Sequence, residues 1–326
     1  MYRVIDIVSI DVMSITSYYL VRKARKESGV DGATMGEVRL GGGVIRYRDV
    51  GTGPVLFFVH GILVNGTLWR HVVANLAGRF RCIVPDLPLG GHSIPMEPGA
   101  DMTPPGVAQM VADLMRELNL RDVTLVGNDT GGAICQLVIS NHPGRIGRLV
   151  LTNCDAYEAF FPVVLSPFHH LARLFGARFV DLLAWTLRGR LAQRALVATV
   201  SLRHVDNATL DANMTPLIQD PGVRRDLARF LGSISNRYTL EAARSFPGFD
   251  RPVLIAWGLK DFFFSPRLAL RMQHDFPDAR LEAVPASRAF VPEERPEQLV
   301  RLIEEFLEGN VGRPGDASQE GVFSQD

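Results

Sequence analysis

A chain of 326 residues is long enough to bury one large core or two smaller ones. Lys and Arg number 35 together, as do Asp and Glu, and this balance excludes the basic excess expected of a nucleic-acid binder. Three scattered cysteines, Cys82, Cys135 and Cys154, exclude a disulfide framework or a cysteine zinc site; each lies in or beside an apolar run, which predicts buried free thiols and a cytoplasmic protein.

Residues 1–21 are apolar but are broken by Arg3, Asp6 and Asp11, so no run reaches the roughly 20 residues of a spanning helix. Charge, apolar block and small residues also fail to follow the order of a leader peptide. Residues 1–35 are expected to form a helical N-terminal extension, amphipathic and closing on Arg22-Lys23-Ala24-Arg25-Lys26. Peripheral membrane contact by that segment is a minor alternative.

Glu37–Leu40 and Val44–Arg48 are strand-like runs around Gly41-Gly42-Gly43. Pro54–Val59 is continuously apolar, as a strand buried on both faces should be, and ends in His60-Gly61. A helix is predicted over Thr67–Ala77, a buried strand over Arg81–Val84 ending in Pro85-Asp86, and a helix over Pro104–Leu118. Val123-Thr124-Leu125-Val126 then runs into Gly127-Asn128-Asp129-Thr130-Gly131-Gly132 and a helical stretch that His142-Pro143-Gly144 stops near Asn141. Arg148–Thr152 is the next strand. Residues 156–249 contain no strand-like run and carry Leu, Ala, Arg and Phe at helical spacing. Strand and helix patterns resume with Pro252–Trp257, Arg267–Phe276, Arg280–Val284 and Glu297–Glu308, and residues 309–326 form a polar, flexible tail.

This alternation predicts an α/β fold with a mostly parallel central sheet flanked by helices. Its core comprises 36–155 and 250–308, and 156–249 is a helical lid roofing the carboxyl ends of the strands. Phe160, Phe161, Phe168, Phe175 and Trp185 are expected in the lid's core or along an apolar pocket. No His/Cys/Asp grouping has metal-ligand spacing, so no metal or cofactor is expected, and the only partner implied is a small molecule.

The turn around Asp129 has the pattern of a nucleophile elbow: a strand, a tight bend with glycine two residues before and two after its tip, then a helix. A carboxylate at the tip is ionised at pH 7 without help and can attack a saturated carbon to leave an alkyl ester. The plainer alternative is an aspartate capping the following helix.

Three markers in this order resemble the α/β-hydrolase superfamily with a helical lid: His60-Gly61, the elbow at Asp129, and Trp257-Gly258-Leu259-Lys260-Asp261. A fourth, Asp86 to Ser93 with Gly91, matches except that Leu89 stands where glycine is usual. An aspartate at the elbow is similar to the epoxide hydrolase and haloalkane dehalogenase branch. The resemblance implies a hydrolase acting on a small apolar substrate through Asp129, with backbone N–H groups of Ile62 and Thr130 as oxyanion hole and Asp261 as the acid that orients a histidine. Asp155, after the Arg148–Thr152 strand, is an alternative acid. The family's histidine belongs in Ala286-Ser287-Arg288-Ala289-Phe290-Val291-Pro292-Glu293, where Ala289 takes its place, and the chain has no histidine after His274. His92 is the candidate substitute base. Tyr238, and less well Tyr157, match the lid tyrosines that hydrogen-bond an epoxide oxygen. Ile62 and Thr130 lack the side-chain N–H donors that dehalogenases use to hold halide, which favours epoxide chemistry. The absent histidine leaves a second expectation open, a non-hydrolytic descendant that binds a ligand without turnover.

Overall fold

A computed structural model describes residues 33–162 and 165–309. The expected N-terminal helix and most of the polar tail lie outside these residues.

The apolar runs become strands: β1 (Thr34–Leu40), β2 (Gly43–Val50), β3 (Val55–Val59), β4 (Arg81–Pro85), β5 (Val123–Asp129), β6 (Ile146–Cys154), β7 (Val253–Gly258) and β8 (Ala279–Val284). They form one eight-stranded sheet in the order β1-β2-β4-β3-β5-β6-β7-β8. β1 pairs antiparallel with β2, and β2 with β4; every later pair is parallel. The continuously apolar β3, β5 and β7 lie in the interior of the sheet with almost every residue buried, because helices cover both of its faces. One boundary differs from expectation. β1 starts at Thr34, inside the stretch assigned to the N-terminal extension, because Thr34 and Met35 pair across the hairpin with Asp49 and Arg48. Cross-strand pairing extends the strand past its alternating segment.

The first helices are α1 (Arg70–Leu76), α2 (Pro104–Glu117) and α3 (Thr130–Asn141). A single 3-10 turn, Gly66–Trp69, precedes α1, so the predicted helix over Thr67–Ala77 is two elements. In α2 the Thr103 side chain accepts from the Gly106 N–H and proline occupies the first turn, where no N–H is needed. Among the described residues six α-helices separate β6 from β7: α4 (Ser166–Phe175), α5 (Ala177–Thr186), α6 (Arg190–Val200), α7 (Asn207–Gln219), α8 (Pro221–Ser233) and α9 (Asn236–Ala243). The fold closes with α10 (Pro266–Asp275), α11 (Val291–Glu294) and α12 (Pro296–Leu307). All three cysteines are buried and free.

β5, β6 and β7 run parallel, so their carboxyl ends share one edge of the sheet. Asp129 ends β5, Asp155 follows β6 and Asp261 follows β7. In open parallel sheets this edge is where ligands bind.

Candidate active site

Asp129 sits at the tip of the turn between β5 and α3 with φ 55° and ψ −136°, a conformation that side-chain-bearing residues rarely adopt. Its neighbours make the turn feasible by lacking side chains. A Cβ on Gly127 would lie 2.7 Å from Cys135 Sγ, and one on Gly131 would overlap the Val59 carbonyl. A Cβ on Gly61 would overlap Asp129 Oδ2 itself, so the carboxylate rests directly on the backbone after β3. The backbone N–H groups of Thr130 and Ile62 face this carboxylate closely enough to stabilise its charge. The pair expected to form an oxyanion hole therefore converges on Asp129, whose side chain is half-buried.

Two further carboxylates stand beside it. Asp155 is wholly buried. Its Oδ2 accepts from Thr130 Oγ1 at 2.9 Å, and its Oδ1 has no hydrogen-bond partner among the described residues. Thr130 thus stands between the two aspartates, its N–H facing Asp129 and its hydroxyl bonded to Asp155. Asp261 is nearly buried; Oδ1 accepts from the Phe263 N–H at 2.9 Å and Oδ2 from Asn153 Nδ2 at 2.9 Å.

Burial pushes the Asp129 carboxyl up to about 7; the N–H groups of Thr130 and Ile62 oppose this, and the Asp261 charge adds to it. Burial, then the Asp129 charge, raises Asp155 well above the usual carboxylate range. Asp261 rises to about 6, again through burial, held back by its bonds from Phe263 and Asn153. The Arg288 charge eases Asp261 only in part, and three neighbouring acids cannot all ionise cheaply, so the cluster tends to hold protons near neutral pH.

The histidines lie elsewhere. His60 Nε2 accepts from the Leu87 N–H at 2.8 Å, which leaves Nδ1 to donate to the Gly61 carbonyl at 2.8 Å. Burial lowers its pKa to about 4, so His60 is a neutral prop under the Gly61 loop. His92 accepts from the Gly90 N–H at Nδ1 (3.3 Å), and its Nε2 faces Asp226 of α8 at 3.4 Å. Both of its ring nitrogens are engaged, joining the loop after β4 to the helical insertion and not to the three aspartates. No histidine among the described residues hydrogen-bonds Asp129, Asp155 or Asp261. Ala289 is fully buried, and its carbonyl accepts from Asn128 Nδ2 at 2.7 Å.

The tyrosines are engaged away from the cluster as well. The Tyr238 hydroxyl accepts from the exposed Arg237 at 2.7 Å, and the Arg237 guanidinium stacks 4.6 Å from its ring. The Tyr157 hydroxyl donates to Asp275 Oδ2 at 2.9 Å, and Arg271 covers its ring, fastening the start of the insertion to α10.

Comparison with known proteins fits this geometry. Residues 54–296 match the family described as alpha/beta hydrolase fold. The chain belongs to the α/β hydrolase fold family. A cis-3-alkyl-4-alkyloxetan-2-one decarboxylase of Xanthomonas campestris is 30% identical over 284 residues, covering 81% of this chain and 92% of that one. Haloalkane dehalogenase 2 of Mycobacterium tuberculosis is 28% identical over 277 residues, covering 81% and 92%. Among solved structures, an epoxide hydrolase superposes with a TM-score of 0.73 at 19% identity, covering 85% of this chain and 99% of its own. The haloalkane dehalogenase DatA from Agrobacterium tumefaciens gives 0.72 at 23%, covering 86% and 98%. At such identities these two likenesses speak for the fold.

Within this α/β hydrolase, sequence reasoning missed the amides that frame the site. Asn153 bridges β6 and β7: its Nδ2 donates to the Gly258 carbonyl (2.9 Å) as well as to Asp261, and its Oδ1 accepts from the Gly258 N–H (2.6 Å). Asn128 Nδ2 donates to Thr152 Oγ1 at 2.8 Å as well as to Ala289 O. The available signal was a polar residue at the end of an otherwise apolar strand, since a buried amide must find partners.

Proposed function

We propose that the protein is an enzyme whose Asp129 carboxylate attacks a saturated ring carbon of a small, apolar, strained oxygen heterocycle, with epoxides as the first substrate class. The helical insertion α4–α9 serves as its lid. One observation carries this reading: a carboxylate at the elbow tip, in contact with two convergent backbone N–H groups and with the side-chain-free backbone of Gly61 beneath it. An Asp129 oxygen forms the new C–O bond, and the ring C–O bond breaks. Its electron pair stays on the ring oxygen, which takes a proton from water. Hydrolysis of the resulting ester requires an activated water, and the oxyanion of that step would rest on the N–H groups of Ile62 and Thr130. With Ala289 where an imidazole would stand, this second step lacks its usual base and the ester accumulates. Ile62 and Thr130 offer no side-chain N–H to a leaving halide, so alkyl halides are poorer substrates.

Ala289 favours a second reading, in which the substrate is an oxetan-2-one, as the name of the relative from Xanthomonas campestris suggests. Asp129 would attack the saturated ring carbon that bears the ring oxygen, and the electron pair of that alkyl C–O bond would leave on the ring carboxyl group as a carboxylate. Loss of carbon dioxide would move the C–C pair into a C=C bond and expel the Asp129 carboxylate. That cycle needs neither water nor a base.

The test is intact-mass measurement after incubation with epoxides, oxetan-2-ones and alkyl halides. The first reading expects an adduct of the epoxide's mass that is absent from Asp129→Asn and replaced by free diol in Ala289→His. The second expects alkene and carbon dioxide from the oxetan-2-one with no persistent adduct. Neither adduct nor product from any of them would overturn both readings; binding of these compounds without reaction would favour a non-hydrolytic binding protein.

A further inference from the structure

The aromatic residues of the insertion are not where the sequence suggests. Phe160 and Phe161 are buried, but Phe168, Phe175 and Trp185 face outward. Of the nine large hydrophobic side chains exposed among the described residues, eight fall between 168 and 202: Phe168, Leu171, Leu174, Phe175, Leu182, Trp185, Leu191 and Leu202. Such clustering is unlike the scattered exposed apolar residues of an ordinary surface.

The pattern follows helical geometry. Leu171, Leu174 and Phe175 are spaced three and four apart on α4, and Leu182 and Trp185 three apart on α5. Ala172, Val180 and Ala184 mark the buried sides of the two helices, and both helices pack on α8. Leu174 is 74% exposed, Trp185 64% and Leu191 84%, so this apolar surface projects into solvent.

The charge is as uneven as the hydrophobicity. The whole chain is neutral, yet residues 166–204 contain Arg173, Arg178, Arg188, Arg190, Arg194 and Arg203 against one acid, Asp181. Asp181 is already paired with Arg224 of α8 at 2.6 Å. Arg173, Arg178 and Arg188 form no ion pair among the described residues. Exposed Leu, Phe and Trp framed by unpaired arginines is the chemistry of a surface that lies in the headgroup region of an anionic bilayer. No helix among the described residues is long and apolar enough to cross one.

We propose that the outward face of α4, α5 and the start of α6 docks on an anionic lipid surface. Leu174, Phe175, Leu182, Trp185 and Leu191 enter the interface, and Arg173, Arg178 and Arg188 meet lipid phosphates. The docked face belongs to the insertion over the strand ends, so an apolar substrate dissolved in the bilayer would meet the protein on that side. The proposal stands whether or not Asp129 reacts.

The chain supplies its own probe. Trp69 and Trp257 are fully buried, so Trp185 is the one exposed tryptophan of the three. Full-length protein is mixed with phosphatidylglycerol vesicles or with phosphatidylcholine vesicles, and tryptophan emission is followed. The expected result is a blue shift and quenching by brominated lipid on phosphatidylglycerol, weaker on phosphatidylcholine and reversed by high salt. Leu174→Gln with Leu182→Gln, both at exposed positions, should lower partitioning about tenfold or more while leaving the circular dichroism unchanged. Absence of the shift overturns the proposal. Vesicle binding without a change at Trp185 also overturns it, since residues 1–32 would then hold the protein. Trp185 already blue-shifted and shielded from acrylamide before vesicles are added would mean that residues 1–32 or a second copy covers the face, which is equally fatal.

Discussion

At the residue scale, the decisive contact is between Asp129 and the atoms that surround it. Its carboxyl is raised to about 7, so the ionised form that the proposed reaction requires grows as pH rises through that value. The rate of adduct formation should therefore increase from pH 6 to pH 8 and level off above, read by intact mass against time; a flat profile would show an ordinary, fully ionised aspartate. Gly61 has a separate role. Its missing side chain lets the carboxylate settle against the two N–H groups, and a methyl there overlaps Asp129 Oδ2. Gly61→Ala should slow adduct formation by about 10²-fold or more, since displacement of a reacting atom by an ångström costs about that much. The measurement is the same mass assay, with thermal melting to show that the variant folds. Asp129 and its flanking glycines were legible because the bend excludes side chains locally. The roles of Asn153 and of Thr130 Oγ1 were not, because their partners come from strands and loops distant in sequence.

At the element scale, short segments are held by a few strong ties. The four-residue α11 follows the loop that carries Ala289, and such a helix is not stable alone. It is anchored by Glu293, whose two oxygens meet Arg70 of α1 at 2.5 and 2.7 Å in a two-pronged ion pair. Glu293 is nearly buried. Arg70→Met would strand this carboxylate and should cost about 3–5 kcal/mol in urea unfolding; a loss under about 1 kcal/mol would show the tie to be dispensable. The Ala289 loop is also stitched to the insertion, through Phe290 N to Val200 O at 3.0 Å. The element pattern itself was readable in advance, because strands buried on both faces and amphipathic helices obey different periodicities. The exception was the start of β1, where pairing with β2 overrides local pattern.

At the scale of the whole molecule, the acid cluster makes stability depend on pH. An unfolded aspartate titrates near 3.9, whereas Asp155 folds with its pKa well above that. Between these values the folded state binds more protons than the unfolded state, so the contribution of Asp155 to stability falls as pH rises. His60, lowered to about 4, acts in the opposite direction between that value and about 6.5, but it is common to native and variant chains. Asp155→Asn keeps an oxygen for Thr130 and removes the titration. Its melting temperature relative to the native chain should climb by several degrees between pH 5 and pH 8, measured by calorimetry. A constant difference would mean that Asp155 is ionised throughout.

The linear order of residues was enough for the strand and helix types, the parallel sheet, the insertion between β6 and β7 and the sharp bend at Asp129. Each of these follows from local sterics or from the period of apolar residues, which neighbours along the chain dictate. Only the folded chain could show three carboxylates sharing one edge, His60 and His92 spent on backbone and on Asp226, and Phe175 and Trp185 turned outward. Those outcomes depend on which surfaces meet across long stretches of sequence, and a helical period reveals that a face is apolar without revealing what, if anything, will cover it.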